Sequence, residues 1–82
     1  MPWDREHPFM YLQESLCYKV CDTDDSGNPK YYGFVNKSGK WMIMNETDGA
    51  TNSFRYCSGE SDYPTNWTNR ASLTYGYYDE VF

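Results

Sequence analysis

From about residue 16 onward, turn-forming residues interrupt the chain at roughly 8- to 12-residue spacing, and the stretches between them alternate in polarity. That rhythm is too short for ordinary helices and fits strands joined by tight connections. In Leu16-Cys17-Tyr18-Lys19-Val20-Cys21, Leu16, Tyr18 and Val20 share one face and Cys17, Lys19 and Cys21 the other. Tyr31 to Val35 is a second strand, whose Gly33 marks a bulge or a close packing contact. Lys40 to Asn45 is apolar on both faces and reads as central, Ser53 to Cys57 is a fourth strand, and Arg70 to Tyr78 a closing one with Leu73, Tyr75 and Tyr77 on one face. The connections are chemically explicit. Asp22 to Pro29 is a turn cluster with Gly27 suited to a left-handed conformation, Asn36-Lys37-Ser38-Gly39 is a tight turn with Gly39 at positive φ, and Asp48-Gly49 is a hairpin signal. The expected fold is all-β: a small antiparallel meander, curled sheet or barrel of about five strands. One β domain spans residues 16–82, behind an N-terminal arm of residues 1–15.

The composition says what fills such a sheet. Aromatic residues make up 20% of the chain while aliphatic residues are few, so rings must supply the core. A chain of 82 residues forms one domain with a small core and leaves no room for separate substrate and cofactor domains. The net charge of -5 and the scattered Lys and Arg argue against nucleic acid and against anionic membranes as partners. No apolar run approaches the ~20 residues of a membrane helix. The polar, proline-containing start is unlike a signal peptide, so synthesis in a reducing cytosol is expected. Cys17, Cys21 and Cys57 are then expected to be free thiols rather than a disulfide framework, and the sequons at Asn36, Asn45 and Asn66 carry no weight.

Several groupings invite a chemical reading. Asp22, Asp24, Ser26 and Gly27 fit the opening of a calcium loop, but Pro29 and Gly33 stand where the aliphatic residue and the bidentate Glu belong, and strand patterns flank the loop. A structural turn is the better reading. The three cysteines and His7 match no paired zinc knuckle and read as small buried hydrophobes. The carboxylates of Asp22, Asp24 and Asp25, and of Glu60 and Asp62, fall in turn clusters and read as solubilising charges. With one histidine, in the arm, no nucleophile–base arrangement, phosphate loop or dinucleotide fingerprint is evident, so no enzyme activity, cofactor or metal is expected. Trp41, Trp67 or a row of Tyr could form a sugar-stacking platform, but the scarcity of aliphatic residues favours a core role. Tyr63 to Ala71 has the pattern of a helical turn capped by Thr65 or Asn66, which would put Trp67 and Arg70 on one face with the guanidinium stacked on the indole.

The line Tyr32-Gly33, Trp41-Met42-Ile43, Asp48-Gly49, Tyr56, Gly59 and Trp67-Thr68-Asn69-Arg70-Ala71-Ser72-Leu73-Thr74-Tyr75 resembles a loose set of short proteins encoded among the structural genes of tailed bacteriophages. The likeness covers about residues 16 to 75, and the closing W-x-x-R-x-x-L-x-Y is its most specific part. It implies a virion setting: a capsid- or tail-associated assembly or decoration component, working through protein–protein contacts with other virion proteins and as a homo-oligomer. A receptor- or glycan-binding module on the virion surface is the alternative, and a small non-structural phage protein that binds a host protein is a third. The interaction residues expected from the sequence are Trp3, Phe9 and Tyr11 of the arm, Trp41, Trp67, Arg70 and Tyr75 of the body, and Phe82 at the terminus. The arm and Val81-Phe82 are expected to make contacts outside their own body, because the meander fills its core with its own rings.

Overall fold

The computed structural model describes residues 18–81. Four strands, β1 (Tyr18–Asp24), β2 (Lys30–Asn36), β3 (Trp41–Thr47) and β4 (Ser53–Gly59), form one antiparallel meander in the order β1-β2-β3-β4. A short helix α1 (Tyr63–Thr68), a 3-10 turn (Arg70–Ser72) and a terminal helical turn α2 (Tyr78–Val81) follow. The all-β meander is as expected from the pattern. Among the described residues the sheet is open rather than a barrel, and it has four strands rather than about five.

The missing strand has a physical reason. Residues 70–78 were expected to close the sheet, but Arg70 to Ser72 continue the helical coil, with the Ser72 amide donating to the Asn69 carbonyl at 2.8 Å. The chain then extends, yet only Gly76 reaches the sheet edge, exchanging two backbone hydrogen bonds with Tyr56 at 2.8 and 2.9 Å. Of the alternating residues, Tyr75 packs against Tyr31 and Tyr77 against Arg55, and neither joins a ladder.

Register fixes the two faces. Gly33 pairs with Ile43 and Ile43 with Cys57, while Val35 pairs with Trp41 and Trp41 with Gly59. These residues, with Tyr31, Asn45 and Arg55, form the inner face. A bulge at Cys21 puts Lys19, Asp22 and Asp24 on that face also, since Lys19 pairs with Val35, Asp22 with Gly33 and Asp24 with Tyr31. The core is correspondingly small: Trp41 and Ile43 are its buried apolar side chains among the described residues. Trp41 lies flat over Gly59 and its indole N–H donates to the Ser61 carbonyl at 2.7 Å, satisfying the one polar atom of the ring.

The turns follow local chemistry, with two departures. Buried Asn36 accepts at its Oδ1 from the amides of Ser38 and Lys40, both at 3.0 Å, and from the Ser38 hydroxyl at 2.8 Å. Gly39 takes the positive φ of 91° expected of it. Gly27 and Gly49 do not take a left-handed conformation. At the first turn Asp24 organises the chain instead, accepting from the Ser26 amide and hydroxyl. At the second, Asn28 and Asp48 tie the two loops together, the Asn28 side chain both donating to and accepting from the Asp48 backbone at 3.1 and 2.9 Å. A Lys30–Asp48 ion pair adds to that link; it raises the Lys30 pKa and lowers that of Asp48, in each case chiefly through their mutual hydrogen bond.

Candidate functional site

Helix α1 lies against the inner face, and the spacing of its residues explains how. Tyr63 and Trp67 are four apart and Trp67 and Arg70 three apart, so all three point the same way. The cap is Asp62, at φ 63°, rather than Thr65 or Asn66; Pro64 then sits inside the first turn, where its missing N–H costs nothing. Gly33 makes the approach possible. A β-carbon there would overlap the Tyr63 hydroxyl and come within 2.9 Å of Trp67 Cε3. Of the two sequence readings of Gly33, the close contact is the one realised at this position, and the bulge falls one strand away at Cys21.

Two acidic residues of the edge strand β1 fasten this strap. The Tyr63 hydroxyl donates to Asp22 at 2.8 Å. Arg70 donates through Nη2 to Asp24 at 2.8 Å and through Nη1 to the Trp67 carbonyl at 2.8 Å. The guanidinium carbon lies 4.5 Å from the centroid of the Trp67 ring and 5.7 Å from that of Tyr31, so the stack foreseen from the spacing is present and a second ring joins it. Tyr75 completes the layer: its hydroxyl donates to the Arg70 carbonyl at 2.9 Å and its ring sits 6.1 Å from Tyr31.

The electrostatics follow from these contacts. Hydrogen bonds from Ser26 and then from Arg70 hold the Asp24 carboxyl down at about 2. Burial pushes the Tyr63 and Tyr75 phenols well up, with the Asp22 contact adding to the effect at Tyr63. Burial likewise raises the Cys57 thiol.

The residues singled out in the sequence therefore separate. Trp67, Arg70 and Tyr75 come together, while Trp41 is seated against Gly59 at 3% exposure and offers no platform to a sugar. Asp22 and Asp24, taken as solubilising charges, are instead the two acceptors that hold the strap. They are thus committed to protein donors, as a structural turn requires. Cys21 is exposed at the bulge, contrary to the buried reading, whereas Cys57 is half-buried opposite Ile43. Trp3, Phe9, Tyr11, His7, Cys17 and Phe82 lie outside the described residues. Among the described residues no group of three or more His, Cys, Asp or Glu side chains could hold a metal ion, and no helix is long and apolar enough to cross a membrane.

A second feature was not foreseen. The outer face carries adjacent apolar rows: Val20, Phe34 and Met42 in one, Tyr32, Met44 and Tyr56 in the next, with Phe54 beyond them. Val20 and Phe54 are 58% and 42% exposed. After Gly76 the chain rounds the β4 edge, so that Tyr77 meets Arg55 on the inner side, 4.2 Å from guanidinium to ring, and Tyr78 meets Tyr56 edge-on at 5.3 Å on the outer side. Alternation in β2 and β3 carried this signal, since both strands are apolar at every second residue on each face. Comparison with family models, with curated proteins and with solved structures returns no match.

Proposed function

We propose that this protein is a small structural component of a tailed-bacteriophage particle, made in the host cytoplasm, that works by binding other virion proteins and further copies of itself. The observation that carries the assembling role is the outer face. It presents two half-buried apolar rows with exposed Val20 at the edge of one and exposed Phe54 beyond the other, on a domain whose described core holds only two buried apolar side chains. Apolar surface of that kind on a small protein marks an interaction site. The resemblance supplies the setting, and the geometry is consistent with it in a specific sense. Of the residues that carry the likeness, Gly33, Trp67, Arg70 and Tyr75 build the sheet-to-strap packing, and Trp41 and Gly59 pack on each other in the sheet. They read as a signature of this architecture rather than of a reaction, which supports a non-enzymatic role. Mass spectrometry of purified particles tests the reading: the chain should be present at a fixed multiple of a shell or tail component, and its absence from particles sinks the proposal.

Binding of a surface glycan is a second reading, favoured by one observation. Tyr77 is 57% exposed and carries Arg55 beside its ring, a pairing of flat apolar surface and hydrogen-bond donor that suits a pyranose. A glycan array probed with the full chain and with Tyr77→Ala separates the two, since particle incorporation should not depend on Tyr77.

A further inference from the structure

We propose that the strap, with the chain that follows it to residue 81, is exchanged between two copies of the protein, each strap seated on its partner's sheet through the contacts it otherwise makes on its own. Such exchange rests on the reading of the protein as one that binds further copies of itself, and it names the element that crosses between them.

The seat is particular to this segment. From β4 at one edge of the sheet the strap crosses to β1 at the other, where Asp22 and Asp24 accept from Tyr63 and Arg70. Bare Gly33 leaves the notch that the Tyr63 hydroxyl and the Trp67 ring occupy. Two carboxylates beside that notch ask for a phenol, a flat ring and a guanidinium at i, i+4 and i+7. The chain offers that series once, at Tyr63, Trp67 and Arg70. The segment that fits the seat of a second copy is therefore the same segment of the first.

The joint between body and strap is what favours crossing over. Gly59 ends β4 and Tyr63 begins α1, so three residues make the reversal. Ser61 is held, because its carbonyl accepts from the Trp41 indole at 2.7 Å, which leaves Asp62 as the pivot. Asp62 turns the chain at φ 63° and ψ 43°, with no capping hydrogen bond from its side chain, and it is the one non-glycine residue with positive φ among the described residues. Short hinges under strain invite exchange: an extended pivot relieves the strain, and the partner's sheet returns every seat contact. Glu60, Ser61 and Asp62 are exposed and no residue of α1 is fully buried, so neither the pivot nor the helix is locked in a core. Twofold exchange closes the assembly at two copies.

The test uses the full chain in two charge-reversed forms. Asp24→Arg sets β1 against Arg70 of its own strap, and Arg70→Asp sets its own strap against Asp24. Each alone should melt below the parent. Unfolded in urea and refolded together, they should form a heterodimer in native mass spectrometry that melts above either component, since exchange puts opposite charges together at both seats. A mixture that melts as its two components do overturns the exchange. The Asp24→Arg, Arg70→Asp double variant controls for the inverted pair. If it fails to fold, the pivot decides instead, read by light-scattering mass across a concentration series. Asp62→Gly, which takes φ 63° freely, should weaken dimer formation by roughly tenfold, and Asp62→Val, which resists that conformation, should strengthen it. Equal dimer fractions in the two, or a monomer in both, overturn the exchange. The particle test is separate: a chain found in virions without strap exchange sinks this inference alone, and a strap-exchanged dimer absent from virions sinks the virion reading alone.

Discussion

Gly59→Ala adds a single methyl group, and the structure makes it a severe test of how the core is held. A β-carbon at Gly59 would lie 2.5 Å from Trp41 Cε2 and 2.7 Å from Nε1, inside the 3.0 Å that real β-carbons respect. The ring has little freedom to yield. It is 3% exposed, and moving it stretches the hydrogen bond from its N–H to the Ser61 carbonyl. In the unfolded chain the same change helps, since Ala loses less entropy than Gly on folding, by about 0.4–1 kcal/mol. Overpacking of a tight core costs about 1–3 kcal/mol, and expulsion of a buried Trp about 3–5 kcal/mol with roughly 0.5–1.5 more for its hydrogen bond. Because a flat, rigid indole cannot shear aside by a few tenths of an ångström, the steric side wins, and the expected net loss is about 2–4 kcal/mol. In a domain of this size that is a large part of total stability.

The assay is urea unfolding followed by far-ultraviolet circular dichroism, on the parent, Gly59→Ala, Trp41→Leu and the double variant. Trp41→Leu removes the atoms that clash, so Gly59→Ala should cost at least about 1 kcal/mol less in that background. A Gly59→Ala chain within about 0.5 kcal/mol of the parent, or one equally destabilised with Leu at position 41, would refute the account of Trp41 seated on bare backbone.

The strap yields four further expectations. Asp24, held at about 2 against an ordinary 3.8, binds fewer protons folded than unfolded, so its contribution to stability is complete above the unfolded value and fades as pH falls from about 4 toward 2; Asp24→Asn should remove that part of the acid limb in a pH series of melting temperatures. Tyr63 has the opposite sense, its raised phenol favouring the folded state below pH 10 and losing that advantage above it, so Tyr63→Phe should flatten the alkaline limb of the same series. Trp67→Ala, which removes a half-buried ring between Gly33 and Arg70, should cost about 2–3 kcal/mol in urea unfolding, and a variant that keeps full stability speaks against a packing role. Millimolar calcium should leave the melting temperature unchanged, because Asp22 and Asp24 are already engaged by Tyr63 and Arg70; a site filled at 100 times its dissociation constant would add about 2.7 kcal/mol and show clearly.

The sheet was legible because alternation and turn chemistry are local signals. Asn36 to Lys40 form their turn from five adjacent residues, and no tertiary contact is needed to see it. Residues 73–77 show where such reasoning stops. Leu73, Tyr75 and Tyr77 alternate as a strand does, but strand pairing depends on whether an edge is within reach, and Tyr75 and Tyr77 pack on Tyr31 and Arg55 while only Gly76 pairs its backbone with β4. The role of Asp22 and Asp24 was likewise hidden, since their partners stand 41 and 46 residues further along the chain. Half of that constellation was nonetheless visible: the i, i+3 spacing of Trp67 and Arg70 holds only on a helix, and Tyr63, four residues before Trp67, belongs to the same face.

The distribution of polar contacts across the two faces bears on how such a domain persists with so few buried side chains. On the inner face three of the large rings have a polar anchor, Trp41 on Ser61, Tyr63 on Asp22 and Tyr75 on Arg70, and Arg70 is itself anchored on Asp24. Those bonds fix orientation, so a thin layer of rings stays in one arrangement where an equally thin aliphatic layer would slide. On the outer face the Tyr32 hydroxyl donates to Glu46 at 3.0 Å, while Val20, Phe34, Met42, Met44 and Phe54 have no polar atom that could be anchored in this way. Their contribution to stability comes from being covered, at roughly 25 cal/mol for each Å² of apolar surface removed from water. The inner face is therefore specified by the domain's own hydrogen bonds, and the outer face gains its stability in proportion to what is laid on it. If further copies cover that face, as proposed, the melting temperature should rise with protein concentration.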